Sequence, residues 1–132
     1  MALILNEVID DTEKQGSGVW VQYDEDVSFL IASNQSPSYK KALMKKAKDM
    51  PKHISQEKAD EIYFDLLSQH ILKDWKGVSV IDAKGKATEL KYTPEVGKEW
   101  LKKSATIRDV VESSMNNRTL FMAEKVEEVA KN

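Results

Sequence analysis

The chain of 132 residues has no cysteine, few prolines and glycines (three and five) and two histidines. Only two of its twenty basic residues, Arg108 and Arg118, are arginine. Without cysteine there is no disulfide scaffold, no thiol nucleophile and no Cys-based zinc site. Scarce arginine leaves few planar forks for carboxylate or phosphate, because lysine is a hydrated point charge. Scarce proline and glycine argue against a long linker, so residues 1–132 are expected to form a single domain. Long apolar runs are also missing. Met1–Leu5 is apolar without a basic flank, too short for a signal peptide, and nothing approaches the ~20 apolar residues of a membrane span. A cytoplasmic location and no membrane partner are the expectation.

What the chain has is charge, and it is unevenly placed. The formal net charge is −2, with 32% of residues charged and 41% hydrophobic. Residues 1–35 carry seven acidic side chains against Lys14, a net −6. Residues 36–53 carry six lysines against Asp49, a net +5. The remainder nearly cancels. Such segregation bears on association rather than on fold. It reads either as two solvated surfaces or as complementary patches that bring copies of the chain, or a partner, together.

Periodicity predicts an α+β fold, predominantly helical, with four to five helices and two short antiparallel hairpins. Residues 1–18 read as a mobile acidic arm. Val19–Tyr23 and Val27–Ala32 alternate around the Asp24-Glu25-Asp26 turn and predict the first hairpin. Ser36-Pro37 opens a helix with Tyr39, Leu43, Ala47 and Met50 as its apolar stripe. Ser55 opens a second, whose stripe runs unbroken from Ala59 to Ile71 and predicts a central helix ending near Lys73-Asp74. Val78–Asp82 and Ala87–Tyr92 predict a more polar second hairpin. Thr93-Pro94-Glu95 and Ser104 start two further helices, Asn116-Asn117 breaks the pattern, and a last helix is expected from about Thr119 to the end.

Chemistry-bearing motifs are sparse. His53 and His70 are seventeen positions apart with no third ligand at metal spacing, and they read as a loop residue and a boundary residue of the central helix. Gly16-Ser17-Gly18 lacks the Lys-Ser/Thr of a phosphate loop and sits among acids. No catalytic residue, cofactor or metal is assigned. The lysine-rich helix over 38–52 is a candidate for phosphate contacts, but Tyr39 alone is aromatic there, and stacking platforms interleave several aromatics with charge. Nucleic acid is therefore an unfavoured partner, and a small nucleic-acid-binding regulator is the alternative reading. An enzyme using scattered carboxylates is a weaker one. Trp20 in the first hairpin, and the broad apolar coverage of Leu120, Phe121, Met122 and Val126, suit contact with another protein.

One arrangement of short motifs resembles a known family. Trp75-Lys76-Gly77-Val78 leads into a hairpin with Lys84-Gly85 at its tip. Lys91-Tyr92-Thr93-Pro94-Glu95 and a helix with Trp100-Leu101 follow. A helix pair broken at Asn116-Asn117 and a charged end, Glu127 to Asn132, complete the order. Over roughly residues 70–132 this resembles the tail assembly chaperones of long-tailed, siphovirus-type bacteriophages. Phe29–Ser33 and Ser38-Tyr39 are similar, more loosely, to that family's opening. The resemblance implies a non-enzymatic protein of the host bacterial cytoplasm. Its partner would be the tape measure protein, kept soluble until tail tube subunits polymerise around it. A longer frameshifted form would meet the tail tube protein, copies would associate as a homo-oligomer, and none would remain in the mature virion. The residues expected to carry protein contacts are Trp20, Tyr23, Phe29, Lys40, Lys41, Lys45, Phe121, Met122 and Val126.

Overall fold

The fold was analysed in a computed structural model, which describes residues 2–123. Its elements are α1 (Thr12–Ser17), β1 (Val19–Asp24), β2 (Val27–Ile31), α2 (Pro37–Asp49), α3 (Gln56–Leu66), β3 (Leu72–Lys76), β4 (Ser79–Ile81), β5 (Ala87–Glu89), α4 (Pro94–Lys103) and α5 (Ala105–Met115). Short 3₁₀ turns lie at Leu5–Glu7 and Arg118–Phe121. Among the described residues, five helices and two antiparallel sheets make the expected α+β fold.

The expected hairpin forms, with Val21 opposite Phe29 and Val19 opposite Ile31. It does not stand alone. β3 adds to the free edge of β2, giving the order β1-β2-β3, with Phe29 opposite Trp75. A two-stranded hairpin is marginal in water, and this third strand buries its inner face. The inner face is an aromatic row. Tyr23, Phe29, Trp75 and Tyr92 meet edge to face, their ring centroids 6.1, 6.3 and 5.0 Å apart in turn.

β3 corrects the expected end of the central helix. The stripe from Ala59 does continue to Ile71, but α3 ends at Leu66 and Leu67–Ile71 widens into a π-helical turn. Leu67, Ser68 and Ile71 are buried in that turn, and the chain becomes extended at Leu72. A wider turn leaves helix-end carbonyls without their usual amide partners. The Tyr92 hydroxyl lies 2.6 Å from both the Ser68 and Leu72 carbonyl oxygens, sharing its proton between them. Gly97, buried on α4, makes room for the Tyr92 ring: a Cβ there would come within 2.5 Å of it.

The expected caps are made at three helices. Ser55, Thr93 and Ser104 side chains accept from the backbone amides of Lys58, Val96 and Ile107. Ser36 starts α2 as expected but makes no such bond; its hydroxyl is buried 3.2 Å from that of Ser38. Arg108 on α5 donates to the Leu101 and Lys102 carbonyls at the end of α4, a cation on the negative helix terminus. The second hairpin is shorter than expected. It is tied to the first sheet where the Trp75 indole N–H donates to the Leu90 carbonyl at 2.7 Å.

Two terminal expectations are corrected. Residues 10–18 are not a free arm. Asp11 caps α1 through the Glu13 and Lys14 amides, Gln15 is buried, and the Ser33 amide donates to the Gln15 carbonyl. No α-helix starts at Thr119 within the described residues. Arg118–Phe121 is a single 3₁₀ turn, after which the chain runs antiparallel to residues 9–11, with Asp10 bridging Met122. The amide of Asp11 donates to the Phe121 carbonyl and that of Ala123 to the Ile9 carbonyl, both at 2.8 Å. The rest of the expected last helix lies outside the described residues.

Candidate functional site

The nine residues expected to carry contacts divide into three groups. Trp20 and Tyr23 on β1 are 42% and 53% exposed, and Lys40, Lys41 and Lys45 on α2 are exposed. Met122 is half-buried beside the N-terminal segment. Phe29 and Phe121 are each 2% exposed, which corrects their assignment: they belong to the interior. Phe29 sits on the inner face because strand alternation puts it with Val27 and Ile31, against Trp75. Val126 lies outside the described residues.

Trp20 points to the opposite face of the sheet from Phe29. Its neighbours across the strands are Leu30 and, beyond it, Asp74. The Lys76 ammonium sits 4.1 Å from the Trp20 ring centroid, a cation–π contact that holds the indole on the outer face. β1 is also an edge strand. Tyr23 ends the inner aromatic row but reaches solvent at the hairpin tip.

α2 departs from its expected packing. Of the stripe Tyr39, Leu43, Ala47 and Met50, Tyr39 is buried and Met50 half-buried, while Ala47 is exposed and Leu43 is 43% exposed. Met44 is 73% exposed. The helix packs against the core through Tyr39 and Ala42 and carries lysines and apolar side chains together into solvent on its other side. Burial, then the Glu112 charge, raises the Tyr39 hydroxyl pKa. Tyr63 donates to Glu112 at 2.7 Å, and its hydroxyl is raised further by burial and that bond.

Sequence reasoning read the N-terminal segment as an acidic arm and patch but assigned its apolar side chains no contact role. Leu3, Ile4, Leu5, Val8 and Ile9 are between 40% and 72% exposed, a run of apolar side chains beside the bridge to Met122. The signal was present in the apolar opening, without a surface to place it on. A polar recess of about 240 Å³ lies next to it, lined by Asp10, Gln15, Ser33, Gln35, Arg118 and Phe121. It sets one carboxylate and one guanidinium around a backbone junction.

The histidines stay apart from these surfaces. His53 is exposed in the α2–α3 connection. His70 is half-buried, its pKa lowered by desolvation and by Lys73, with Asp65 opposing. Among the described residues no three His, Asp or Glu side chains converge as metal ligands, and no helix is long and apolar enough to cross a membrane.

Fold and surface together define a small α+β protein that presents lysine-rich and apolar faces side by side. The chain belongs to the YdaY prophage protein family, whose model matches residues 33–132. It is therefore phage-derived. The match begins just after β2 and covers α2 and every described element after it. No curated protein and no solved structure matches the chain.

Proposed function

We propose that this prophage protein acts by binding other proteins during phage assembly, as a non-enzymatic chaperone whose client is the tape measure protein. The observation that carries this reading is the set of exposed large apolar side chains, Leu3, Ile4, Leu5, Trp20, Tyr23 and Met44, on a surface rich in charge. A holding chaperone needs apolar contact area for its client and a solvated remainder to keep the complex in solution. Phage descent and the resemblance of residues 70–132 to tail assembly chaperones supply the client's identity. Its place of action would be the host bacterial cytoplasm, before the virion is complete. A longer frameshifted form would extend its contacts to the tail tube protein.

Co-expression with the tape measure protein of the same prophage tests this. The client is expected to move from the insoluble to the soluble fraction and to co-purify with this chain. A client equally insoluble with and without it sinks the proposal. The nucleic-acid alternative keeps one supporting observation, the exposed lysines of α2. Tyr39, the one aromatic side chain there, is buried, so no base can stack on it. Phosphate contacts alone would give binding that falls steeply with salt.

A further inference from the structure

The opposed charges of the first half of the chain are held on separate parts of the molecule. α2 exposes Lys40, Lys41, Lys45, Lys46 and Lys48 around Leu43 and Met44, with Asp49 its one carboxylate. None of these lysines forms an ion pair among the described residues; the ion pairs there all use Lys98, Lys102 or Lys103 of α4. The β1–β2 tip exposes Asp24, Glu25 and Asp26, equally unpaired among the described residues, beside the half-exposed Tyr23.

Topology keeps the two patches from closing on each other. α2 follows the Ile31 end of β2, and its Lys45, Lys46 and Asp49 border a recess with Asp65, Gln69 and His70. The acidic tip is at the other end of the strands, where Gly77 closes against the Asp26 backbone. The strands between them span about 16 Å, at roughly 3.3 Å per residue.

We propose that α2 of one copy docks on the β1–β2 tip of a second copy, lysines to carboxylates and Leu43 and Met44 to Tyr23. Each patch joins charge of one sign to exposed apolar surface, so the pair is complementary in both respects. The contact is heterologous. A copy that uses its tip still offers its α2, so association continues along a row rather than stopping at two. The inference rests on this chain's own surfaces and stands whether or not the client is the tape measure protein.

Light scattering and sedimentation of the purified chain, over a range of concentrations at low and high salt, test it. The expected mass grows with concentration at low salt and falls to the monomer at high salt. Two neutralised variants separate the surfaces: Lys40→Gln, Lys41→Gln, Lys45→Gln on α2, and Asp24→Asn, Glu25→Gln, Asp26→Asn at the tip. All six side chains are exposed, and circular dichroism checks that the fold is kept. Each variant alone is expected to be monomeric. An equimolar mixture is expected to give a one-to-one dimer and nothing larger, because one intact α2 then meets one intact tip. A wild-type chain that is monomeric at low salt overturns the proposal. So does association lost in the α2 variant but kept in the tip variant, the pattern expected if α2 meets nucleic acid or another surface. A mixture that stays monomeric overturns it too.

Discussion

Tyr92 and Gly97 show how much of this fold hangs on single residues. The Tyr92 ring closes the inner aromatic row, and its hydroxyl serves two carbonyls freed by the π turn. Tyr92→Phe keeps the ring and removes that donor, so unfolding in urea is expected to register a loss of about 1–2 kcal/mol. Gly97→Ala tests the space the ring needs. Alanine is favoured over glycine in an open helix by about 1 kcal/mol, yet here it is expected to destabilise by about 1–3 kcal/mol, because the ring must move. A stabilised Gly97→Ala variant would count against the packing described. Burial first, then the Asp74 and Glu95 charges, holds the Tyr92 hydroxyl protonated above its ordinary value of 10.0. Tyr39 and Tyr63 are shifted in the same direction. The folded chain thus keeps protons that the unfolded chain releases near pH 10. That stability is whole below pH 10 and declines as the pH rises further. Urea midpoints are expected to fall from pH 9 to 11, and to fall less in Tyr92→Phe.

At the scale of elements, α2 and β3 carry the lesson about legibility. The stripe on α2 is a true periodicity, and the helix forms where Ser36-Pro37 places its start. Periodicity gives direction, however, and not a neighbour to be buried against. Past Tyr39 it is Ala42 that packs against the core, so Leu43, Ala47 and, beside them, Met44 stay in solvent. Replacing both by serine is expected to change stability by less than about 0.5 kcal/mol, whereas Tyr39→Ala costs about 3 kcal/mol; thermal melts distinguish the two. Equal losses would show that α2 is packed along its length. β3 is the reverse case. Ile71 and Leu72 continue a helical stripe, and nothing local marks the change of conformation. What decides it is the open edge of β2, which supplies partners for Leu72–Lys76. The caps were legible because Ser55, Thr93 and Ser104 each reach a backbone amide of their own helix.

For the molecule as a whole, the N-terminal segment meets the last described residues through 9–11 and 121–123, and Phe121 fills the interior behind that contact. Phe121→Ala is expected to cost about 3–5 kcal/mol and to speed hydrogen exchange over residues 9–18 more than in β2. Uniform exchange across both regions would show that the contact is not a separate unit.

The candidate contact surface was partly legible. Trp20, Tyr23 and the α2 lysines are where alternation and charge put them. Phe29 and Phe121 are not, because an apolar side chain reads the same whether it faces the interior or a partner. The exposed Leu3–Ile9 run needed a surface before it could be seen as one.

By itself the sequence determined four of the five helices among the described residues, the two hairpins, the capped helix starts and the segregation of charge. These are local properties, carried by spacing, side-chain oxygens near backbone amides, and composition. Only the tertiary structure decided that the first hairpin gains a third strand and that α2 stays half uncovered. It alone decided that residues 10–18 are pinned by 121–123, and that the acidic and basic segments lie apart. Each of these depends on which free edge or face lies nearby, and that neighbour comes from a distant part of the chain.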